Sequence, residues 1–142
     1  MKHKLRKLAL ALATITLALL LWLWWTLFSP WGYVPPEDVS AVDATVQQQV
    51  FAYGTLRQPV VRWLVVGRSV ATDAATLPGF RQRGRNVVAQ PGAQTRGEVF
   101  TVDADELRRL DRYERLGVRY QRRRLQLASG RSAWVYLRLE DD

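Results

Sequence analysis

The sequence predicts a small α+β domain, a curled or barrel-like mixed sheet around one well-formed helix, set behind a single transmembrane helix. Three observations carry that prediction: an uncharged run over residues 8–28, short apolar runs bounded by glycine and proline from Val50 onward, and a capped amphipathic helix beginning at Asp103. A chain of 142 residues is long enough for one core of ordinary size.

The opening residues, 1–7, read MKHKLRK and are basic. The 8–28 run that follows would span about 30 Å as a helix, the thickness of a bilayer's hydrocarbon core. Trp22, Trp24, Trp25 and Trp31 gather at its far end, where indole rings favour the membrane interface. A cleaved signal peptide needs a shorter apolar region with a small-x-small site just after it. Here Ala9, Ala11 and Ala13 lie too early, and SPWGYVPP follows the run. The reading is therefore an uncleaved signal anchor, ahead of a cleaved signal or a buried core helix. Lys2, Lys4, Arg6 and Lys7 precede the span, so the N-terminus is expected in the cytoplasm and the rest on the extracytoplasmic (periplasmic) side.

Residues 29–49 carry Pro30, Pro35 and Pro36 without apolar periodicity and read as a linker. The domain then occupies 50–142. Residues 50–53 (VFAY) form a buried strand ending at Gly54, and 59–66 a short helix expected to carry Trp63 and Leu64 inward. Residues 69–77 are a strand stopped by Pro78-Gly79; 86–89 and 97–102 are two more, separated by PGAQTR. Asp103 with Glu106 makes a capping box, and Gly117 sits where a C-terminal cap belongs. Residues 119–127 and 131–139 flank Ala128-Ser129-Gly130 as a hairpin, with Val135, Leu137 and Leu139 alternating inward. The terminal Glu140-Asp141-Asp142 reads as a frayed tail.

On the 103–117 helix, Leu107, Leu110 and Glu114 stand at i, i+3 and i+7 and share one face, with Asp111 at its edge. Arg108, Arg109, Arg112 and Arg115 fall elsewhere, and Asp105–Arg109 and Asp111–Arg115 have the spacing of i,i+4 ion pairs. The arginines read as a solvated face. Glu114 does not, because a carboxylate turned toward a core is costly unless it is paired, protonated or lining a cavity. It either bends out to solvent or pairs with an arginine, or it serves as a general acid/base with a raised pKa.

Residue types exclude several chemistries. The only histidine is His3 in the leader and there is no cysteine, so thiol catalysis, disulfides and Ser-His-Asp machinery are out and zinc lacks ligands. No nucleotide-binding glycine pattern occurs. No metal and no cofactor is expected; the chemistry available is that of carboxylate, hydroxyl, backbone amide and guanidinium. The formal charge is +8, of which the leader supplies four, leaving +4. Arg81, Arg83, Arg85 and Arg122–Arg124 lack the interleaved aromatics of a single-strand binder, so no nucleic-acid partner is expected.

Four stretches in order, Val50-Phe51-Ala52-Tyr53-Gly54-Thr55-Leu56, Gly97-Glu98-Val99-Phe100, Leu110-Asp111-Arg112-Tyr113-Glu114 and Tyr120-Gln121-Arg122, resemble the γ-glutamylcyclotransferase (AIG2-like) family. The pattern is most similar to that of γ-glutamylamine cyclotransferases and covers about residues 50–139. The resemblance implies a small mixed β-barrel with flanking helices. It also implies substrate binding by Tyr53, Gly54, Thr55, Leu56 and Tyr120, acid/base work by Glu114, and a small γ-glutamyl substrate that cyclises to 5-oxoproline and releases an amine or amino acid. A non-catalytic small-molecule or partner-binding domain on the same fold is the alternative. Where the family often has glycine after the glutamate, this chain has Arg115. A base needs its carboxylate free of guanidinium, so Arg112 and Arg115 are expected to point away from the pocket.

Overall fold

The structure, a computed structural model, describes residues 2–28, 33, 34, 36 and 42–139. The chain divides into two units, Met1–Val34 and Pro35–Asp142. Residues 29–32, 35 and 37–41 of the expected linker, with Trp31 among them, and the acidic tail lie outside the described residues.

The first unit is one helix, α1 (Lys2–Phe28). Within it His3–Trp25 is long and apolar enough to cross a membrane by length and composition, with mean hydropathy 2.1. Thr14 and Thr16 donate their hydroxyls to the carbonyls of Leu10 and Leu12, each at 2.9 Å, so neither leaves an unsatisfied donor on an apolar helix.

The second unit is built outward from β1 (Gln48–Ala52). This strand pairs antiparallel with β3 (Asn86–Val102) on one side and parallel with β5 (Ser132–Arg138) on the other. β2 (Asp73–Arg83) and β4 (Tyr120–Gln126) complete the order β2-β3-β1-β5-β4. The sheet is a mixed half-barrel rather than a closed barrel: its edge strands β2 and β4 do not pair, although Ala128 N–H in the β4–β5 turn donates to Thr76 O of β2 at 2.9 Å. Alternation sends Phe51, Leu77, Val87, Val99, Val135 and Leu137 into one cluster on the inner face. On the other face lie Val50, Phe100, Val102, Trp134 and Tyr136, all buried. That face is covered by α2 (Pro59–Val66) and α3 (Ala104–Glu114), which bury Val65, Val66, Leu107 and Leu110.

Several expectations are corrected. Residues 86–102 form one long strand, because β2 runs alongside them and a β-bulge between Pro78 and Phe80 absorbs the Pro78-Gly79 pair instead of ending the strand. β5 is buried on both faces from Ala133 to Leu137, since it lies inside the sheet beneath helices, so its alternation carries no inside-versus-outside information. Trp63 and Leu64 are exposed; Arg62, Val65 and Val66 face inward instead. Helix α3 begins with the expected capping box but ends at Glu114, capped by Arg115 in the left-handed region at φ 51°. Gly117, at φ 80°, belongs to the following turn. The expected i,i+4 pairs do not form. Arg108 pairs with Asp105, Arg109 donates to Val66 O at 2.7 Å, and Asp111 turns into the domain.

Inside the domain Asp111 accepts from Arg122 Nη1 at 2.9 and 2.7 Å and from the Tyr136 hydroxyl at 2.6 Å. The Arg122 guanidinium lies 4.6 Å from the Trp134 ring centroid, and Trp134 Nε1 donates to Gln48 Oε1 at 2.9 Å. This network ties α3 to β4, β5 and β1.

The packing sets what individual substitutions cost. Asp111→Ala takes the carboxylate away from a buried arginine whose side chain is 2% exposed, so urea denaturation is expected to show a loss of about 3–5 kcal/mol. Asp105→Ala, at an exposed pair, is expected to cost less than about 1 kcal/mol. Gly97 lies against β1 so closely that an added Cβ would sit 2.3 Å from Ala52 O and 2.6 Å from Phe51 Cζ. Gly97→Ala is therefore expected to lower stability by about 1–3 kcal/mol in the same measurement.

Candidate active site

At the C-terminal end of β1 the chain leaves the sheet through Tyr53 and Gly54 into a 3₁₀ turn, Thr55–Arg57. Arg57 N–H donates to Gly54 O and Gln58 N–H to Thr55 O. The amides of Thr55 and Leu56 open this turn and so have no acceptor within it. The turn is held from behind by Arg62 of α2. Its guanidinium, with the side chain 6% exposed, donates to Leu56 O at 2.9 Å, Arg57 O at 2.7 Å and Glu98 Oε2 at 2.8 Å. Glu98 thus has a structural role. It neutralises the arginine that fixes the loop's carbonyls.

A cavity of about 50 Å³, open on one side, forms against this loop. Its walls are Phe51, Ala52, Tyr53, Gly54, Thr55 and Leu56 from β1 and the turn, Arg85 from the β2–β3 turn, Glu114, Tyr120 and Tyr136. The structure therefore brings Tyr53, Gly54, Thr55, Leu56, Glu114 and Tyr120, all singled out from the sequence, into one place. Arg112 and Arg115 are not among the lining residues.

Glu114 is the last residue of α3 and is half-buried. Burial raises its pKa to about 7. Its position at the negative end of the helix works in the same direction. The tyrosines around it stay protonated at neutral pH. Burial raises Tyr53, and the neighbouring acidic groups Tyr120 and Glu114 work in the same direction. Tyr120 is raised by burial and then by Glu114. The Tyr53 hydroxyl is spent on Tyr136 O at 2.5 Å. The Tyr136 hydroxyl is spent on Asp111, and burial keeps that phenol protonated. Of the three hydroxyls, only that of Tyr120 makes no hydrogen bond to the described residues, so it is free to meet a ligand.

Two lining residues carry no signal in the sequence. Tyr136 sits in a strand buried on both faces, where alternation is uninformative. Arg85 looks like the surface arginines Arg81 and Arg83, and only the β2–β3 turn brings it to the cavity. Among the described residues no three His, Cys, Asp or Glu side chains come together as metal ligands. What the cavity offers is one titrating carboxylate, two loop amides, a free phenol and one guanidinium at the rim.

Residues 50–142 match the model of the family described as gamma-glutamyl cyclotransferase, AIG2-like. A solution structure of an Arabidopsis thaliana protein has 28% identity and TM-score 0.58, covering 70% of this chain and 74% of that one. A second Arabidopsis thaliana protein has 23% identity and TM-score 0.59, covering 72% and 69%. A structure titled gamma-glutamyl cyclotransferase shares the fold at 19% identity and TM-score 0.53, covering 68% and 69%. No match to a curated protein is found. With its mixed half-barrel, its Tyr53-Gly54-Thr55-Leu56 loop facing Glu114, and a match that runs from β1 to the end of the chain, the protein belongs to the AIG2-like gamma-glutamyl cyclotransferase family.

Proposed function

We propose that this chain is a membrane-tethered cyclotransferase that converts a small γ-glutamyl amide to 5-oxoproline and a free amine or amino acid. The observation that carries the reading is Glu114: a half-buried carboxylate, with a pKa raised to about 7, lining one cavity with the Tyr53–Leu56 loop.

The substrate brings its own nucleophile. Its α-nitrogen attacks the γ-carbonyl carbon, a five-membered ring closes, and the bond from that carbon to the leaving nitrogen breaks. Over the whole reaction the α-ammonium gives up two protons and the leaving nitrogen gains two. Glu114 is placed to carry them, taking a proton before attack and delivering it to the departing amine. A carboxylate at its unperturbed value of about 4.3 would be a feeble base toward an ammonium, and the raised value narrows that gap. The amides of Thr55 and Leu56 hold the substrate's carboxylate and fold its chain for attack, and the Tyr120 hydroxyl is a further contact. The cavity is small and open on one side, so it takes the glutamyl head while the leaving group faces solvent.

The membrane reading rests on α1. Lys2, Lys4, Arg6 and Lys7 on its N-terminal flank orient that end to the cytoplasm and the domain to the extracytoplasmic side. Protease accessibility of the domain in spheroplasts against lysed cells tests that orientation.

Two outcomes test the chemistry. In Glu114→Gln, release of 5-oxoproline from a panel of γ-glutamyl amides is expected to fall by about 10²–10⁴-fold while the fold persists. Retained turnover in that variant would remove the mechanism. In the native chain kcat/KM is expected to rise with pH through about 7 as Glu114 loses its proton. Stability moves oppositely. Between about 4.3 and about 7 the folded state binds more protons at Glu114 than the unfolded state does, so its contribution falls as pH rises through that window. Glu114→Gln is therefore expected to gain thermal stability relative to the native chain at pH 8 and much less at pH 5.

A further inference from the structure

Helix α2 faces the wrong way for a solvated surface helix. Its one charged residue, Arg62, is buried on Glu98, while Val60, Trp63 and Leu64 stand in water at 69%, 55% and 50% exposure. The three lie at i, i+3 and i+4 and make one continuous apolar stripe. An unbroken stripe that includes a tryptophan is a feature of contact surfaces rather than of free ones.

The rim of the stripe is basic. Residues 55–68 contain Arg57, Arg62 and Arg68 and no acid. Arg57 and Arg68 are exposed at the two ends of α2, and Arg109, also exposed, reaches across from α3 to Val66 O. Part of this charge is cancelled: Arg68 holds Glu106 at 2.6 Å. Arg57 is only 4.0 Å from Glu98, which Arg62 already occupies at 2.8 Å, and Arg109 is spent on a carbonyl, so both keep their charge for an outside partner.

We propose that the Val60–Trp63–Leu64 face of α2, with Arg57 and Arg109 beside it, docks on an anionic phospholipid surface. Apolar and indole side chains enter the headgroup boundary, and the guanidinium groups meet lipid phosphates. The charge of the rim selects an anionic occupant. The bilayer is favoured over a soluble acidic partner because α1, read as a membrane span, is part of the same chain, so the stripe meets the lipid surface at high effective concentration. The proposal rests on the membrane reading of α1 and is independent of the cyclotransferase chemistry. Through Arg62, whose guanidinium carries Leu56 O and Arg57 O, the docked helix adjoins the cavity loop.

The chain has no cysteine, so Leu64→Cys gives a unique labelling site for an environment-sensitive fluorophore. The labelled full chain is reconstituted into nanodiscs of phosphatidylglycerol or phosphatidylcholine, and co-elution with the discs reads insertion of α1 separately. Docking is expected to protect the label several-fold from aqueous iodide in phosphatidylglycerol discs, with the protection reduced by 0.5 M salt or by Arg57→Glu and weak in phosphatidylcholine. A label equally open to quencher in both discs, while the chain co-elutes with them, overturns the proposal and leaves the anchor standing. Equal protection in detergent particles of dimer size assigns the face to a second copy and overturns it too. A chain that elutes apart from the discs removes the anchor and the proposal together.

Discussion

Two carboxylates one turn apart on α3 meet opposite electrostatic fates, and the site depends on that difference. Asp111 is buried against Arg122 and the Tyr136 hydroxyl. Burial still lifts its pKa, while those two partners pull it back. Glu114 is less buried, yet burial raises its pKa to about 7, with no charged partner pulling it back. The two facts are linked. Arg122 is committed to Asp111 and stacked on Trp134, and it does not line the cavity that holds Glu114. Paired, Asp111 fixes where the helix lies; unpaired, Glu114 remains able to titrate.

A second ion pair does for the loop what Asp111 does for the helix. Arg62, paired with Glu98, holds the carbonyls of Leu56 and Arg57 and so fixes the turn that lines the cavity. Gly97 allows β3 to close on Phe51 and Ala52 just before that turn. The Gly97-Glu98 pair thus acts on the site without lining it: one residue sets the distance between strands, the other anchors the loop from behind.

Local patterns were legible and long-range partners were not. The capping box at Asp103 and Glu106 and the inward register of Leu107 and Leu110 were readable because they are set within one helix. Glu114 stood out by the same register. The roles of Arg122 and Glu98 were not readable, because each is fixed by a partner on another element. In sequence Arg122 looks like one of three surface arginines; in the fold its side chain is the most buried of any ion-paired arginine described. Trp63 and Leu64 misled for the opposite reason. Apolar character predicts burial only where the chain itself supplies cover, and α2 spends its inner face on Arg62, Val65 and Val66. The Pro78-Gly79 pair misled because a bulge lets an edge strand carry a proline that would end a central one.

The end of α3 shows how function draws on stability in this domain. Arg115 closes the helix in the left-handed region, where a side chain costs about 1–2 kcal/mol and glycine costs none. The residue before it carries a carboxylate whose burial opposes its own ionisation. Both penalties fall on adjacent residues at the cavity wall, while the compensating contacts lie one turn back, at Leu110 and Asp111. A helix anchored that firmly by its inner turn can tolerate a strained cap and an ill-solvated acid at its tip. The same anchoring holds the acid against the loop whatever its protonation state. A proton carrier needs that property, since Glu114 must occupy one position both before and after it takes the proton.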